Sequence, residues 1–246
     1  MSQAEAKPAV CSFLEWDSNF FGVHIGRIES HRLSPAILAQ ATEWARENRI
    51  DCLYFLSVAD DPQTIHLAEQ NHFQHVDVRM TLERTIPDAL EAPASTDATV
   101  RLGREEDLPS LRSIAAASHH DTRFYFDGHF DHARCDQLYE TWIEKSLHGF
   151  ADAVLVAERN GAPVGYVTLN LRESESQIGL IAIAGGHQGK GLGRLLVEQS
   201  LEWARQHGAR RMKVVTQGRN VAAQRLYQRC GFVTASFELW YHRWFR

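Results

Sequence analysis

Apolar residues recur at helical spacing over residues 35–48, where Ile37, Leu38, Ala41, Trp44 and Ala45 share one face. The continuous apolar run Cys52-Leu53-Tyr54-Phe55-Leu56 reads as a buried strand. A second helix is predicted over about residues 62–70, and alternation predicts a strand over about 76–82. The pattern then breaks over residues 86–99, which are rich in Pro, Ala, Ser, Thr and Asp and read as a linker. Beyond it, residues 100–102 suggest a strand. Leu108, Leu111, Ile114 and Ala115 define the inner face of a helix over 105–118, and a further helix is predicted over 139–147. Strands are predicted over 153–158 and 164–171, joined through Arg159-Asn160-Gly161, where Asn-Gly is a strong hairpin signal. A strand over 177–183 leads to a helix that opens near Gly191 and runs to His207, with Gly208 placed to end it. A strand over 212–216, a helix over 220–230 and a strand over 232–241 complete the series. These elements place the chain in the α/β (α+β) class. They divide it into a smaller α/β half-domain over 1–86, a linker over 87–99 and a second domain over 100–246.

The two halves carry an internal echo. Leu67-Ala68-Glu69-Gln70-Asn71-His72-Phe73 aligns with Leu226-Tyr227-Gln228-Arg229-Cys230-Gly231-Phe232. Either a duplication or the general likeness of helix–turn–strand units accounts for it.

Composition narrows the classes. Of 246 residues, 44% are hydrophobic and 23% charged, which suits a globular protein with a full core. The formal net charge of −5 gives no general affinity for nucleic acid or anionic membrane, so a small anion needs a local patch of donors. Cys11, Cys52, Cys135 and Cys230 are scattered without a Cys-x-x-Cys pair, so neither a disulfide framework nor a zinc site is expected. Residues 1–10 lack the apolar core of a signal peptide and no apolar run approaches a membrane span. The expectation is a soluble, cytoplasmic protein.

The candidate chemistry begins at Gln188-Gly189-Lys190-Gly191-Leu192-Gly193-Arg194, a Gly-rich loop that follows an apolar strand and opens a helix. A helix N-terminus carries unpaired N–H groups and about half a positive charge. Glycines let that backbone approach an anion closely. With Lys190 and Arg194 the loop predicts a pyrophosphate cradle. The spacing fails the Rossmann fingerprint, and no Gly-Lys-Ser/Thr Walker loop exists.

A second motif follows one strand later: Asn220-Val221-Ala222-Ala223-Gln224-Arg225-Leu226-Tyr227, then Cys230-Gly231-Phe232. Asn220 is placed to cap its helix. Together the spacings Gln-x-x-Gly-x-Gly and Asn-x-x-Ala-x-x-Leu-Tyr resemble the two signatures of the GNAT superfamily of acetyltransferases over roughly residues 100–246. The resemblance implies the GNAT fold, a central mixed and splayed sheet flanked by helices, with acetyl-CoA as co-substrate and no metal. It implies that Tyr227 is the general acid, protonating the thiolate leaving group, and that Asn220 bonds the pantetheine arm. It further implies that the strand residues Ile181, Ala182 and Ile183 pair with pantetheine. Glu173, Glu175, His119, His120 and Asp121 are candidates for the base, none of them singled out.

Trp16-Asp17-Ser18-Asn19-Phe20-Phe21-Gly22, Asp121-Thr122-Arg123-Phe124 and Tyr139-x-x-Trp142-Ile143 carry a narrower resemblance, to the dTDP-fucosamine N-acetyltransferases of surface polysaccharide synthesis. That group acetylates the 4-amino group of a dTDP-linked dideoxy sugar. The Gln-x-x-Gly-x-Gly loop and the His- and Asp-rich segment 127–135 depart from it. The implied acceptor is an amino sugar nucleotide. Arg123 is a candidate for its diphosphate, and Phe124 and Trp16 are candidates for stacking on a ring. Other readings are a GNAT acting on a peptide amine or polyamine, and a non-catalytic acyl-CoA sensor. The aromatic-rich segment 237–245, with Trp240 and Trp244, is a candidate homodimer contact or a core strand.

Overall fold

The computed structural model describes residues 9–90 and 96–245. Residues 91–95 of the expected linker and residues 1–8 of the N-terminal segment lie outside them. In chain order the elements are β1 (Cys11–Phe13), α1 (Glu15–Phe21), β2 (Ile25–Ile28), α2 (Pro35–Glu47), β3 (Cys52–Val58), α3 (Pro62–Gln70) and β4 (Gln74–Thr85). They continue with β5 (Thr99–Leu102), α4 (Leu108–Ala116), α5 (Arg123–Asp127), α6 (His132–Lys145), β6 (Ala153–Arg159), β7 (Ala162–Arg172) and β8 (Glu175–Ile183). The last are α7 (Leu192–Gln206), β9 (Arg211–Gln217), α8 (Val221–Arg229) and β10 (Val233–Trp244). Among the described residues no helix is long and apolar enough to cross a membrane.

The chain folds as two compact units, Met1–Arg79 with Phe237–Arg246, and Met80–Ser236. In the first, β1 pairs antiparallel with β2, β2 parallel with β3, and β3 antiparallel with β10. The β3–β10 ladder runs from Glu238↔Val58 to Trp244↔Cys52, so most of the aromatic-rich segment is a strand of this unit, with Tyr241 buried and Phe237 and Phe245 exposed. Its core joins Leu38, Ala41 and Ala45 of α2 to Leu53, Phe55, Ala68, Phe73 and Tyr241. Ser34 starts α2 by accepting from Ile37 N (3.2 Å), with Pro35 preset for the first turn. Sequence periodicity predicts α2 and β3 closely. It misses α1 and the short strands β1 and β2, which hold too few residues to show a period.

In the second unit the strands follow the order β4-β9-β8-β7-β6-β5, β4 contributing its Met80–Thr85 part. β5 to β8 form an antiparallel meander and β8 pairs parallel with β9, so the sheet is mixed. The expected hairpin turn is present: Asn160 and Gly161 both have positive φ (53° and 77°), and Arg159 pairs with Ala162. α6 begins at His132, seven residues before the predicted helix. Asp131 caps it by accepting from Arg134 N (3.0 Å), and a polar first turn masks its inner residues Cys135, Leu138, Tyr139 and Ile143.

The internal echo has a structural counterpart. Both α3 and α8 end in a left-handed residue, His72 (φ 63°) and Gly231 (φ 77°). In each, the next residue is a buried Phe whose N–H returns to the helix, Phe73 to Ala68 O (3.1 Å) and Phe232 to Tyr227 O (3.0 Å). These are the same C-terminal cap, with a histidine in one copy where the other has the less strained glycine.

Candidate active site

The site rests on an irregularity in β8. Its register with β7 shifts between Val167 and Leu169, so that Val167 pairs with Ile181 but Leu169 with Ile178. This bulge frees the N–H of Leu180, which the Thr168 hydroxyl accepts at 2.8 Å. A Cβ on Gly179 would lie 2.7 Å from that same hydroxyl oxygen, so the bulge needs glycine. Gly179→Val is therefore expected to destabilise the fold by about 1–3 kcal/mol through overpacking, about 2–4 °C of melting temperature for each kcal/mol. A melt within about 1 °C of wild type would show that the bulge absorbs a side chain.

Past the bulge β8 leaves β9. Their parallel ladder ends at Ile178↔Val214, although β8 continues to Ile183 and β9 to Gln217. From Gly179 onward, the β9-facing edge of β8 has no ladder partner among the described residues. The two strands thus open a cleft, walled on one side by Ile181, Ala182 and Ile183.

The Gly-rich loop stands at the end of this wall. Gln188 Nε2 donates back to Ile183 O (3.2 Å). Gly189 and Gly191 have positive φ (74° and 80°), and nothing approaches within 4 Å of a Cβ position on Gly189. The cations of the loop are engaged locally, Lys190 Nζ with Gly186 O (2.9 Å) and Arg194 Nε with Glu198 (2.6 Å). What the loop presents is chiefly backbone N–H at the start of α7. Leu192 is buried and anchors that start.

The second motif meets the first at one point. A Cβ on Gly193 would sit 3.1 Å from Leu226 Cδ2, so the first turn of α7 lies against the residue next to Tyr227. Asn220 caps α8 by accepting from Ala223 N (2.9 Å). Gln224 Nε2 ties the turn before it, donating to Gln217 O (3.0 Å) and Gly218 O (2.8 Å). Tyr227 is 2% exposed and packs on Phe232 (5.8 Å). Burial raises its phenol pKa further, so the group stays protonated at neutral pH.

The base candidates separate by position. Glu173 and Glu175 lie at the opposite end of β8 from the loop, and Glu175 pairs with Lys213 (2.8 Å). His120 bonds Ala116 O (3.1 Å) on the surface. His119 is different. Its Nε2 meets the Tyr166 hydroxyl at 3.0 Å, and Tyr166 pairs with Ala182 of the cleft wall. Its ring also stacks on Tyr139 (4.6 Å). Burial, with His120 nearby, lowers its pKa to about 4, so it is neutral at pH 7. Sequence spacing holds no sign of this pairing.

Near the acceptor candidates, Phe124 is buried against Phe130 (5.6 Å) and carries the Arg123 guanidinium 4.5 Å above its ring. Phe126, two residues on, is 59% exposed. Arg219, from the turn before α8, covers it at 3.9 Å and donates to Asp121 O (3.4 Å). This tie between the segment 121–126 and the second motif has no sequence signal. In the other unit, Trp16 is exposed and stacks on Phe20 (5.1 Å). Among the described residues no group of three or more His, Cys, Asp or Glu is placed to hold a metal ion.

A mixed sheet, a glycine-rich turn at the end of β8 and the helix carrying Asn220 and Tyr227 thus stand together in the second unit. Residues 114–232 match the family model Acetyltransferase (GNAT) family; the chain carries a GNAT acetyltransferase domain and is an N-acetyltransferase. It is 29% identical over 237 residues to dTDP-fucosamine acetyltransferase of Escherichia coli O6:H1, a match covering 94% of this chain and 96% of that one. It is 29% identical over 138 residues to the spore coat polysaccharide biosynthesis protein SpsD of Bacillus subtilis, covering 56% of this chain and 48% of that one. The fold is shared with a GCN5-related N-acetyltransferase of Sphaerobacter thermophilus (TM-score 0.67, 15% identity, 96% of this chain and 76% of that one).

Proposed function

We propose that the protein moves acetyl from acetyl-CoA to the amine of an amino sugar nucleotide of the dTDP-4-amino-4,6-dideoxyhexose type. The observation that carries the cofactor is the cleft beyond Ile178 with the glycine cradle at its end. The free edge of β8 at Ile181, Ala182 and Ile183 suits an extended amide-bearing arm added like a strand. Backbone N–H groups at Gly189, Lys190, Gly191, Leu192 and Gly193 suit a pyrophosphate, with Gln188 and Arg194 holding the cradle's ends. The side-chain amide of Asn220 is at hand for the arm.

In the reaction the neutral amine attacks the thioester carbonyl. The carbon–sulfur bond breaks, and the departing thiolate takes the Tyr227 proton. The proton shed by the new amide nitrogen restores the phenol through solvent. Burial keeps Tyr227 protonated at neutral pH, as a proton donor requires.

The acceptor is supported by similarity to the dTDP-fucosamine enzyme over nearly the whole of both chains. Arg123 is the proposed diphosphate ligand. Its partner Phe124 is too buried to stack on a ligand and serves as the platform beneath the guanidinium. A thiol-release assay across amino sugar nucleotides, polyamines and peptides tests the reading. The dTDP-4-amino sugar is expected to show the highest kcat/KM, and a polyamine or peptide exceeding it would overturn the acceptor. Arg123→Ala is expected to raise the sugar-nucleotide KM about tenfold or more through loss of a charged hydrogen bond, with the acetyl-CoA KM unchanged. A normal sugar-nucleotide KM would remove Arg123 from the site.

A further inference from the structure

One of the base candidates stands at the cleft. Tyr166 lies opposite Ala182, the middle residue of the cleft wall. Residues directly opposite in an antiparallel ladder send their side chains to the same face. That face is the one α4 covers: α4 packs on β7 and β8, and His119, three residues past its end, meets the Tyr166 hydroxyl with Nε2 at 3.0 Å. Tyr139 of α6 holds the imidazole from a second side, stacked at 4.6 Å and 25°. Two contacts from two elements thus fix both the place and the plane of the ring. Two residues on, Arg219 Nη1 donates to the Asp121 carbonyl (3.4 Å) from the turn that follows β9. The segment 119–121 is therefore anchored on β7 at one end and on the turn before α8 at the other, so it passes over the opening between β8 and β9.

Tyr166 is fully buried, whereas His119 is half-buried. Among the described residues Nε2 of His119 is bonded and Nδ1 is left open. A histidine clamped through one nitrogen has its tautomer set by the clamp. The titratable groups that meet it are His120 beside it, Tyr139 and Tyr166. None is a carboxylate, so no anion holds a proton on the ring, and the neutral form is present at pH 7.

We propose that His119 is the base of the reaction, taking the proton of the attacking amine on Nδ1. Tyr166 is its positioning residue: the hydroxyl oxygen accepts from Nε2–H, which leaves the lone pair on Nδ1. The amine nitrogen bonds the thioester carbon and passes a proton to Nδ1. The carbon–sulfur bond breaks, and the thiolate takes the Tyr227 proton. The imidazolium then gives its proton to solvent, and the Tyr227 phenolate regains one from solvent. The proposal rests on the acetyl-transfer reading above, not on the identity of the amine, and adds to it the proton acceptor.

Initial rates with acetyl-CoA and dTDP-4-amino-4,6-dideoxygalactose test it. In His119→Gln the side-chain amide still donates to the Tyr166 oxygen but takes no proton. Its kcat is expected to fall about 10²-fold, with both KM values and calorimetric CoA binding near wild type. His119→Ala leaves a slot between Tyr139 and Tyr166. Added imidazole is expected to restore part of its lost kcat, a readout that a packing role would not move. Tyr166→Phe is expected to lower kcat about tenfold through loss of one hydrogen bond. It should cost nothing further in the His119→Gln background, since it acts through His119. Unchanged kcat in His119→Gln would overturn the proposal. So would a loss in His119→Ala that imidazole leaves untouched, which makes His119 a packing residue. Losses that multiply in the double variant would remove Tyr166 from the positioning role. Failure of wild type to turn over this sugar nucleotide would overturn the acceptor reading instead, and the same variants are then read with the polyamine or peptide that does turn over.

Discussion

Replacing Tyr227 by Phe is expected to lower turnover by about 10²-fold or more while CoA affinity stays near the wild-type value. The substitution removes one oxygen and leaves the ring that packs against Phe232, so the helix and the fold are retained. What is lost is the proton for the leaving thiolate, a group of much lower basicity than an alkoxide but still poor without a donor. Because burial raises the phenol pKa, the donor form persists through neutral and mildly alkaline pH. The wild-type rate should therefore show no alkaline loss from this group below its ordinary pKa of about 10. Thiol release at saturating acetyl-CoA, set beside calorimetric CoA binding, separates the two effects. Turnover unchanged in the Phe variant would remove Tyr227 from the chemistry.

Gly191→Asp is expected to weaken CoA binding by about two orders of magnitude or more. Two terms act together. Gly191 has φ 80°, where a non-glycine residue costs about 1 kcal/mol or more. The carboxylate also enters a site whose proposed ligand is a diphosphate, and like charges a few ångströms apart repel strongly where water is thin. Gly191→Asn separates the terms, since Asn tolerates left-handed backbone and carries no charge. It is expected to bind CoA more weakly than wild type but much more tightly than the Asp variant. Equal losses in the two variants would assign the effect to backbone strain and count against an anion cradle.

Much of the second unit was legible in the sequence because its elements are long and their faces clean. Leu111, Ile114 and Ala115 mark α4, and Asn160-Gly161 marks the hairpin. The two motifs were legible as patterns of glycines, an asparagine and a tyrosine. The cleft between them was not. It follows from a register shift whose one sequence trace is Gly179 inside an apolar strand, and a lone glycine does not say which way a strand bends. The pairing of His119 with Tyr166 joins residues 47 apart, and Arg84 meets the Cys230 carbonyl across 146. Such meetings are made by topology, which a periodic pattern does not encode. Phe124 illustrates the complementary error: an aromatic beside an arginine reads as a ligand platform, yet its ring is packed inward and holds the arginine instead.

The ladder between β3 and β10 also bears on how the chain is made. Residues 52–58 complete their hydrogen bonding with residues 238–244. During synthesis the sheet of the first unit closes only after residues 238–244 have been made, with one edge of β3 lacking that partner until then. Pairings of such long separation are slow to form and leave strand edges exposed meanwhile. Nascent chains stalled before residue 237 should therefore lean on holding chaperones more heavily than chains stalled after residue 244. A lesion in β10 would then surface as misfolding around β3, about 180 residues earlier.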